Sequence, residues 1–285
     1  MYSEHKFIKL SDGTELHAEI RESGKPIWII ATHGICEHLG RHSYLNELFG
    51  HDFNICQYDL RGHGRSMGTK CHIKDFYQYM RDLHEIILFL RKTFRMERFA
   101  LFGHSMGGLI TCGYIKSFAK DDFYPELVFV NAPPAGFPGA LGELIKNTPN
   151  KLWKYVANCP LSIPLGGLVD LNSLSHDPMI KEDYIKDDLN CLKPHTKLLF
   201  EMVSASNEIF SSPLNPKCEM HATIGSEDEV VNVSSVNDYF TTVEKSVHYK
   251  VFENSFHEIH NEIEKYRKPY FDHLTSVFID KRYTE

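Results

Sequence analysis

Residues 98–112 read RFALFGHSMGGLITC: an apolar run, a glycine-rich turn and a second apolar run. Arg98 to Phe102 has the length and composition of a buried strand, and Gly108 to Cys112 can start a helix. Between them, Gly103-His104-Ser105-Met106-Gly107 is a G-x-S-x-G. A serine on so sharp a strand-to-helix turn takes a strained backbone. Glycines are needed two residues to either side because a Cβ there would strike neighbouring chain. The hydroxyl then stands clear above the sheet, and the following helix aims backbone N–H groups at the carbonyl under attack. Ser105 is the candidate nucleophile and the Met106 N–H a candidate oxyanion donor; a purely structural glycine turn is the alternative.

Working outward, Ile27–Ala31, Phe53–Tyr58, Leu127–Val130, Met220–Ile224 and His248–Phe252 are further strand candidates, separated by longer segments of helical period. That alternation predicts an α/β fold with a mostly parallel central sheet flanked by helices. In such sheets ligands sit beyond the carboxyl ends of the strands, where His33-Gly34, Asp59-Leu-Arg-Gly62 and Gly103-His-Ser105 lie. Phe76, Met80, Leu83, Ile87, Leu90 and Phe94 form one stripe of a helix that Asp75 can cap. Upstream, Phe7–Leu10 and Thr14–Arg21 flank the turn Ser11-Asp12-Gly13, which predicts a hairpin. From Pro133 to about Pro213 the alternation stops. Eighty residues are too many for a bare loop, so 134–213 is expected to be a helical cap (lid) over the strand ends, with 1–133 and 214–285 forming the core.

A serine hydroxyl attacks only when a base takes its proton and an acid orients that base. On strand-turn-helix nucleophiles the order is serine, acid, histidine. Gly225-Ser226-Glu227-Asp228-Glu229 follows a strand candidate, and Asp228 is the expected acid, with Glu227 and Glu229 as rivals. The expected base is His257, just beyond the last strand candidate, with His260 as its competitor. The second oxyanion donor falls by position at the Ile35 N–H, in the loop after Ile27–Ala31. His257-Glu-Ile-His260 has a spacing of three where the zinc helix motif H-E-x-x-H has four, so no metal is assigned.

The chain has 285 residues, 42% apolar and 24% charged, an ordinary globular composition. Lys and Arg number 31 against 38 Asp and Glu, a net charge of −7. No basic cluster could track a phosphate backbone, so no nucleic-acid partner is expected. The start, MYSEHKFIKL, lacks the cationic and apolar regions of a secretory signal, which predicts a cytoplasmic protein. Leu152–Val169 is the most lipid-like stretch, but its prolines and glycines rule out a simple spanning helix. Seven widely spaced cysteines without a C-x-x-C suggest neither a disulfide framework nor a zinc cluster. They are expected to be reduced thiols acting as small apolar residues; Cys36 adjoins the oxyanion loop, where oxidation would inhibit, but an inert buried thiol is the favoured reading.

Together these residues make the chain resemble the α/β-hydrolase superfamily, and within it the monoacylglycerol lipase and lysophospholipase group. His33-Gly-Ile-Cys-Glu-His-Leu-Gly-Arg41 looks like that group's H-G-x-x-E-H-x-G-R, with His42 next where tyrosine is common. Asp59-Leu-Arg-Gly-His-Gly-Arg-Ser66 looks like its D-x-x-G-H-G-x-S, and Gly103-His-Ser-Met-Gly-Gly108 like its G-H-S-M-G-G. Gly225-Ser-Glu-Asp228 and His257-Glu-Ile-His-Asn-Glu262 resemble the segments around its acid and base. The resemblance implies an α/β-hydrolase fold, a Ser105–Asp228–His257 triad, oxyanion donors at Ile35 and Met106, structural roles for His63 and Arg65, and no cofactor. It also implies hydrolysis of a small lipid ester through an acyl-enzyme, with Phe137, Leu141, Leu144, Trp153 and Leu165 of the cap lining an acyl channel. Half of these apolar cap residues are expected simply to pack the cap, and an exposed remainder to touch membrane or micelle surfaces. An esterase, thioesterase or peptidase of the same chemistry, or a non-catalytic ligand-binding descendant of the scaffold, are the rival readings.

Overall fold

The computed structural model describes residues 2–158, 162–167 and 170–282. The hairpin is formed by β1 (Tyr2–Lys9) and β2 (Glu15–Glu22), paired antiparallel around a turn where Gly13 takes φ +86°. The apolar runs become β3 (Ile27–Thr32), β4 (Asn54–Tyr58), β5 (Arg98–His104), β6 (Leu127–Asn131), β7 (Glu219–Gly225) and β8 (His248–Phe252). The sheet runs in the order β1-β2-β4-β3-β5-β6-β7-β8. From β4 to β8 every neighbouring pair is parallel, whereas β2 is antiparallel to both β1 and β4.

Every residue of β3, β4 and β6 is buried, as strands covered on both faces require. Side chains alternate between two cores. Trp28, Ile30, Leu101 and Val130 face one, while Ile29, Ala31, Phe102 and Phe129 face the other. The first core is closed by α2 (Tyr77–Phe94) and α3 (Met106–Ser117), the second by α1 (Tyr44–Phe49) and α9 (Glu264–Arg282). On α2 the predicted stripe is buried at Met80, Leu83, Ile87 and Leu90, and the Tyr77 N–H donates to Asp75 Oδ1 at 3.0 Å. The helix proper starts two residues after Asp75, and it ends where Arg95 turns left-handed at φ +54°.

Between β6 and β7 the chain carries α4 (Gly139–Asn147), α5 (Asn150–Ala157), α6 (Pro178–Lys186) and α7 (Thr196–Ile209); α8 (Val233–Asp238) follows β7. This insertion has two characters. Leu198, Ala205 and Ile209 of α7 join the core on the α3 side, and Ser206 Oγ donates to the Pro134 carbonyl at 2.6 Å. By contrast, Ile145, Trp153 and Val203 make a separate small core with Phe137 and Phe200. Among the described residues no helix is long and apolar enough to cross a membrane.

Candidate active site

The turn between β5 and α3 places Ser105 above the sheet at φ +52°, ψ −120°. The neighbouring glycines are obligatory here. A Cβ on Gly107 would lie 2.1 Å from the Thr32 carbonyl oxygen, and one on Gly103 would lie 2.5 Å from that of Gly107. The strained serine is held from the next strand, its N–H donating to the Asn131 carbonyl at 2.8 Å.

Ser105, Asp228 and His257 converge although 152 residues separate the first from the last. The Asp228 carboxylate only accepts, so His257 Nδ1–H donates to Asp228 Oδ2 at 2.7 Å and Nε2 is left to accept from Ser105 Oγ at 3.0 Å. The second carboxylate oxygen of Asp228 accepts from the N–H groups of Val230 and Val231 at 2.8 and 2.9 Å. All three side chains are buried. Burial opposes protonation of His257, but the adjacent Asp228, with Glu258 and Glu37 beyond it, outweighs that and raises its pKa above the ordinary histidine value.

The rivals sit elsewhere. Glu227 is exposed, and Glu229 accepts from Ser173 Oγ at 2.5 Å. His260 is buried among His42, Tyr44 and His104 with neither ring nitrogen hydrogen-bonded among the described residues. Burial, reinforced by His42 and His104, keeps it uncharged.

The loop after β3 packs directly on the nucleophile: a Cβ built on Gly34 would lie 3.2 Å from Ser105 Cβ. Neither the Ile35 nor the Met106 N–H donates to any group among the described residues, so both are free for an incoming acceptor. His33 fixes this loop. Its Nε2 accepts from the Leu60 N–H at 2.9 Å, which leaves the proton on Nδ1 to be donated to the Gly34 carbonyl at 2.8 Å. Burial above all pushes the His33 pKa down to about 3, so the ring stays neutral.

Sequence reasoning passed over the groups that brace this arrangement. Arg41 bonds Glu37 at 3.1 Å in the loop after β3 and also Glu258, the residue after His257, so it ties the two loops together. The stretch from Ser173 to His176 reaches both triad loops through Glu229, the Glu258 N–H and Glu262. Only the charged types spaced through H-G-x-x-E-H-x-G-R could have signalled the first of these. Asp59 accepts from the Leu39 and Arg65 N–H groups at 2.8 and 2.9 Å and so anchors its loop.

The expected acyl-channel residues divide. Phe137 and Trp153 pack in the insertion's small core, whereas Leu144 and Leu165 are 58% and 38% exposed; of Leu141 only the backbone is described. Ile145 and Leu144 are successive residues, about 100° apart around a helix, so when one turns inward the other turns out. A cavity of about 400 Å³ lined by Phe137, Ile145, Phe210 and Tyr239 does not include the triad in its walls. The cysteines also depart from expectation: Cys36, Cys71 and Cys191, distant in sequence, bring their sulfurs within 4.8 Å of one another. Cys159 lies outside the described residues.

Known proteins resemble this chain along most of its length. The family described as "Serine aminopeptidase, S33" matches residues 26–264. The monoacylglycerol lipase of Mycolicibacterium smegmatis is 25% identical over 257 residues, spanning 88% of this chain and 87% of that protein. The crystal structure of a monoacylglycerol lipase from Paleococcus ferrophilus superposes with a TM-score of 0.76 at 25% identity, covering 92% of this chain and 99% of that one. A soluble variant of monoglyceride lipase from Saccharomyces cerevisiae, in complex with a substrate analogue, gives a TM-score of 0.81 at 17% identity over 100% of this chain and 97% of its own.

Proposed function

Because the chain belongs to the serine aminopeptidase S33 family of α/β hydrolases, and is a serine hydrolase, we propose that it cleaves monoacylglycerols to fatty acid and glycerol through an acyl-enzyme. The observation that carries this reading is the continuous relay Ser105–His257–Asp228, with contacts of 3.0 and 2.7 Å. Ser105 Oγ attacks the ester carbonyl as its proton passes to His257 Nε2. The oxygen that gains charge lies between the Ile35 and Met106 N–H groups, and Asp228 stabilises the imidazolium. His257 then protonates the departing glycerol oxygen. In the second half it deprotonates a water that attacks the acyl carbonyl, which restores Ser105 and frees the acid. Every proton in the cycle is carried by His257.

Residues 134–213 act as the cap that selects the acyl chain. Each methylene removed from water contributes about 0.8 kcal/mol, so apolar walls discriminate chain length steeply. Leu144, Leu152 and Tyr155, 58%, 52% and 78% exposed, provide the contact with a membrane or micelle in which such substrates reside.

The test compares kcat/KM on glycerol monoesters of increasing chain length, on a short nitrophenyl ester and on an amino-acid anilide. A rise with chain length supports the lipid substrate. A flat profile with good nitrophenyl turnover would make the protein a general esterase, and preference for the anilide would make it a peptidase.

A further inference from the structure

We propose that Cys36, Cys71 and Cys191 form a site for one thiophilic divalent cation of the zinc type. Three separate segments supply the thiols: the loop after β3, the loop after β4 and the stretch between α6 and α7. Cys36 and Cys71 are buried, and Cys191 is half-buried at the rim. The sulfurs of Cys36 and Cys71 are 3.7 Å apart, and all three lie within 4.8 Å of one another. Thiolates each about 2.3 Å from a tetrahedral zinc are about 3.8 Å apart, so little movement is needed to close the site. A disulfide would join two of these sulfurs and strand the third.

The backbone holds the cluster in place. The Cys191 N–H and the Tyr184 hydroxyl both donate to the Cys36 carbonyl, at 2.8 and 2.7 Å, and the His195 N–H donates to the Cys71 carbonyl at 3.0 Å. Cys36 and Cys71 both sit at positive φ, +65° and +49°, a conformation that non-glycine residues keep only where the surroundings impose it.

His63, in the same loop as Cys71, has an unpartnered ring nitrogen. It is buried, and its Nδ1 donates to the Arg61 carbonyl at 3.1 Å. That bond fixes the tautomer with a bare lone pair on Nε2, which has no partner among the described residues.

Such an ion would pin the loop carrying Ile35 to the insertion. The experiment takes the full chain, measures its metal content as isolated, then strips it under reducing conditions and titrates it with Co(II) and with Zn(II) in competition. One equivalent of Co(II) with thiolate charge-transfer bands is expected, displaced by Zn(II). Zinc should shield Cys36, Cys71 and Cys191 from alkylation while Cys218 reacts, a readout that needs no variant. Cys191→Ser should weaken binding at least ~100-fold, whereas Cys218→Ser should not. No stoichiometric uptake, equal uptake by Cys191→Ser, or pairing of two of the thiols as a disulfide under the same conditions would overturn the site.

Discussion

The strand ends and the outer insertion are built by different rules. Around Ser105 each group has a partner that fixes it: Asn131 holds the serine backbone, Asp228 the histidine, two backbone N–H groups the aspartate, and His33 the facing loop. In the outer insertion Ile145, Trp153 and Val203 form a small core, large apolar side chains such as Leu144 and Tyr155 meet solvent, and the buried Trp153 Nε1 has no partner among the described residues. Chemistry demands a fixed geometry, and recognition of an alkyl chain demands only apolar surface of suitable shape. The contrast teaches that fixed hydrogen-bonded geometry and apolar surface arise from different local rules, which is the division the proposed roles of reaction and acyl-chain selection would need.

Four changes would break or sharpen that contrast. Ser105→Ala should lower kcat by on the order of 10⁶ and abolish labelling by a fluorophosphonate, with thermal stability retained. Persistent labelling would move the nucleophile elsewhere. Asp228→Asn should cost about 10⁴ in kcat, because His257 then loses the acceptor for Nδ1. Activity requires neutral His257, and its pKa is raised, so the wild-type rate should fall toward acid with a midpoint above the ordinary value of about 6.5. Asp228→Asn should shift that midpoint downward, and a pH–rate profile unchanged by the substitution would sink the assignment.

Next comes Arg41→Met, which leaves Glu37 and Glu258 buried without their shared cation. Chemical denaturation should show a loss of about 3 kcal/mol, accompanied by lower kcat with little change in KM. An unaltered unfolding curve would mean that the two loops are held by other means. The smallest effect belongs to Leu144→Ser. Unfolding should change by less than about 0.5 kcal/mol and turnover of a short soluble ester not at all. Association with lipid vesicles should weaken about tenfold, and unchanged vesicle binding would remove Leu144 from the proposed membrane-facing surface.

How much of this was legible follows the same division. Short runs that are mostly apolar, or that alternate as His248–Phe252 does, announce themselves as strands, and the bounds of Ile27–Thr32, Leu127–Asn131 and His248–Phe252 differ from the sequence reading by a residue at most. The elbow at Ser105 was readable because a steric demand dictates the glycines around it. His257 and Asp228 were readable because chain order restricts where a base and an acid can arrive. The braces were not. Arg41 with Glu258 and Ser173 with Glu229 are pairs between distant segments, and no local pattern says which charge meets which. The thiol cluster escaped for the same reason: its members lack the short spacing that marks a metal site in sequence, and only the fold unites them. In the insertion, apolar composition named Leu144 and Trp153 alike, since it cannot tell which side of a helix lacks a neighbour.

The ring of His33 has a further consequence. With the Leu60 amide occupying one edge, the imidazole has a single available tautomer, and the peptide plane joining Gly34 to Ile35 has a single orientation. Turning that plane over would orphan a carbonyl in a dry setting, at a cost of about 1–3 kcal/mol. In the resting molecule the flipped peptide is therefore the minority form, and the majority orientation is set when the chain folds.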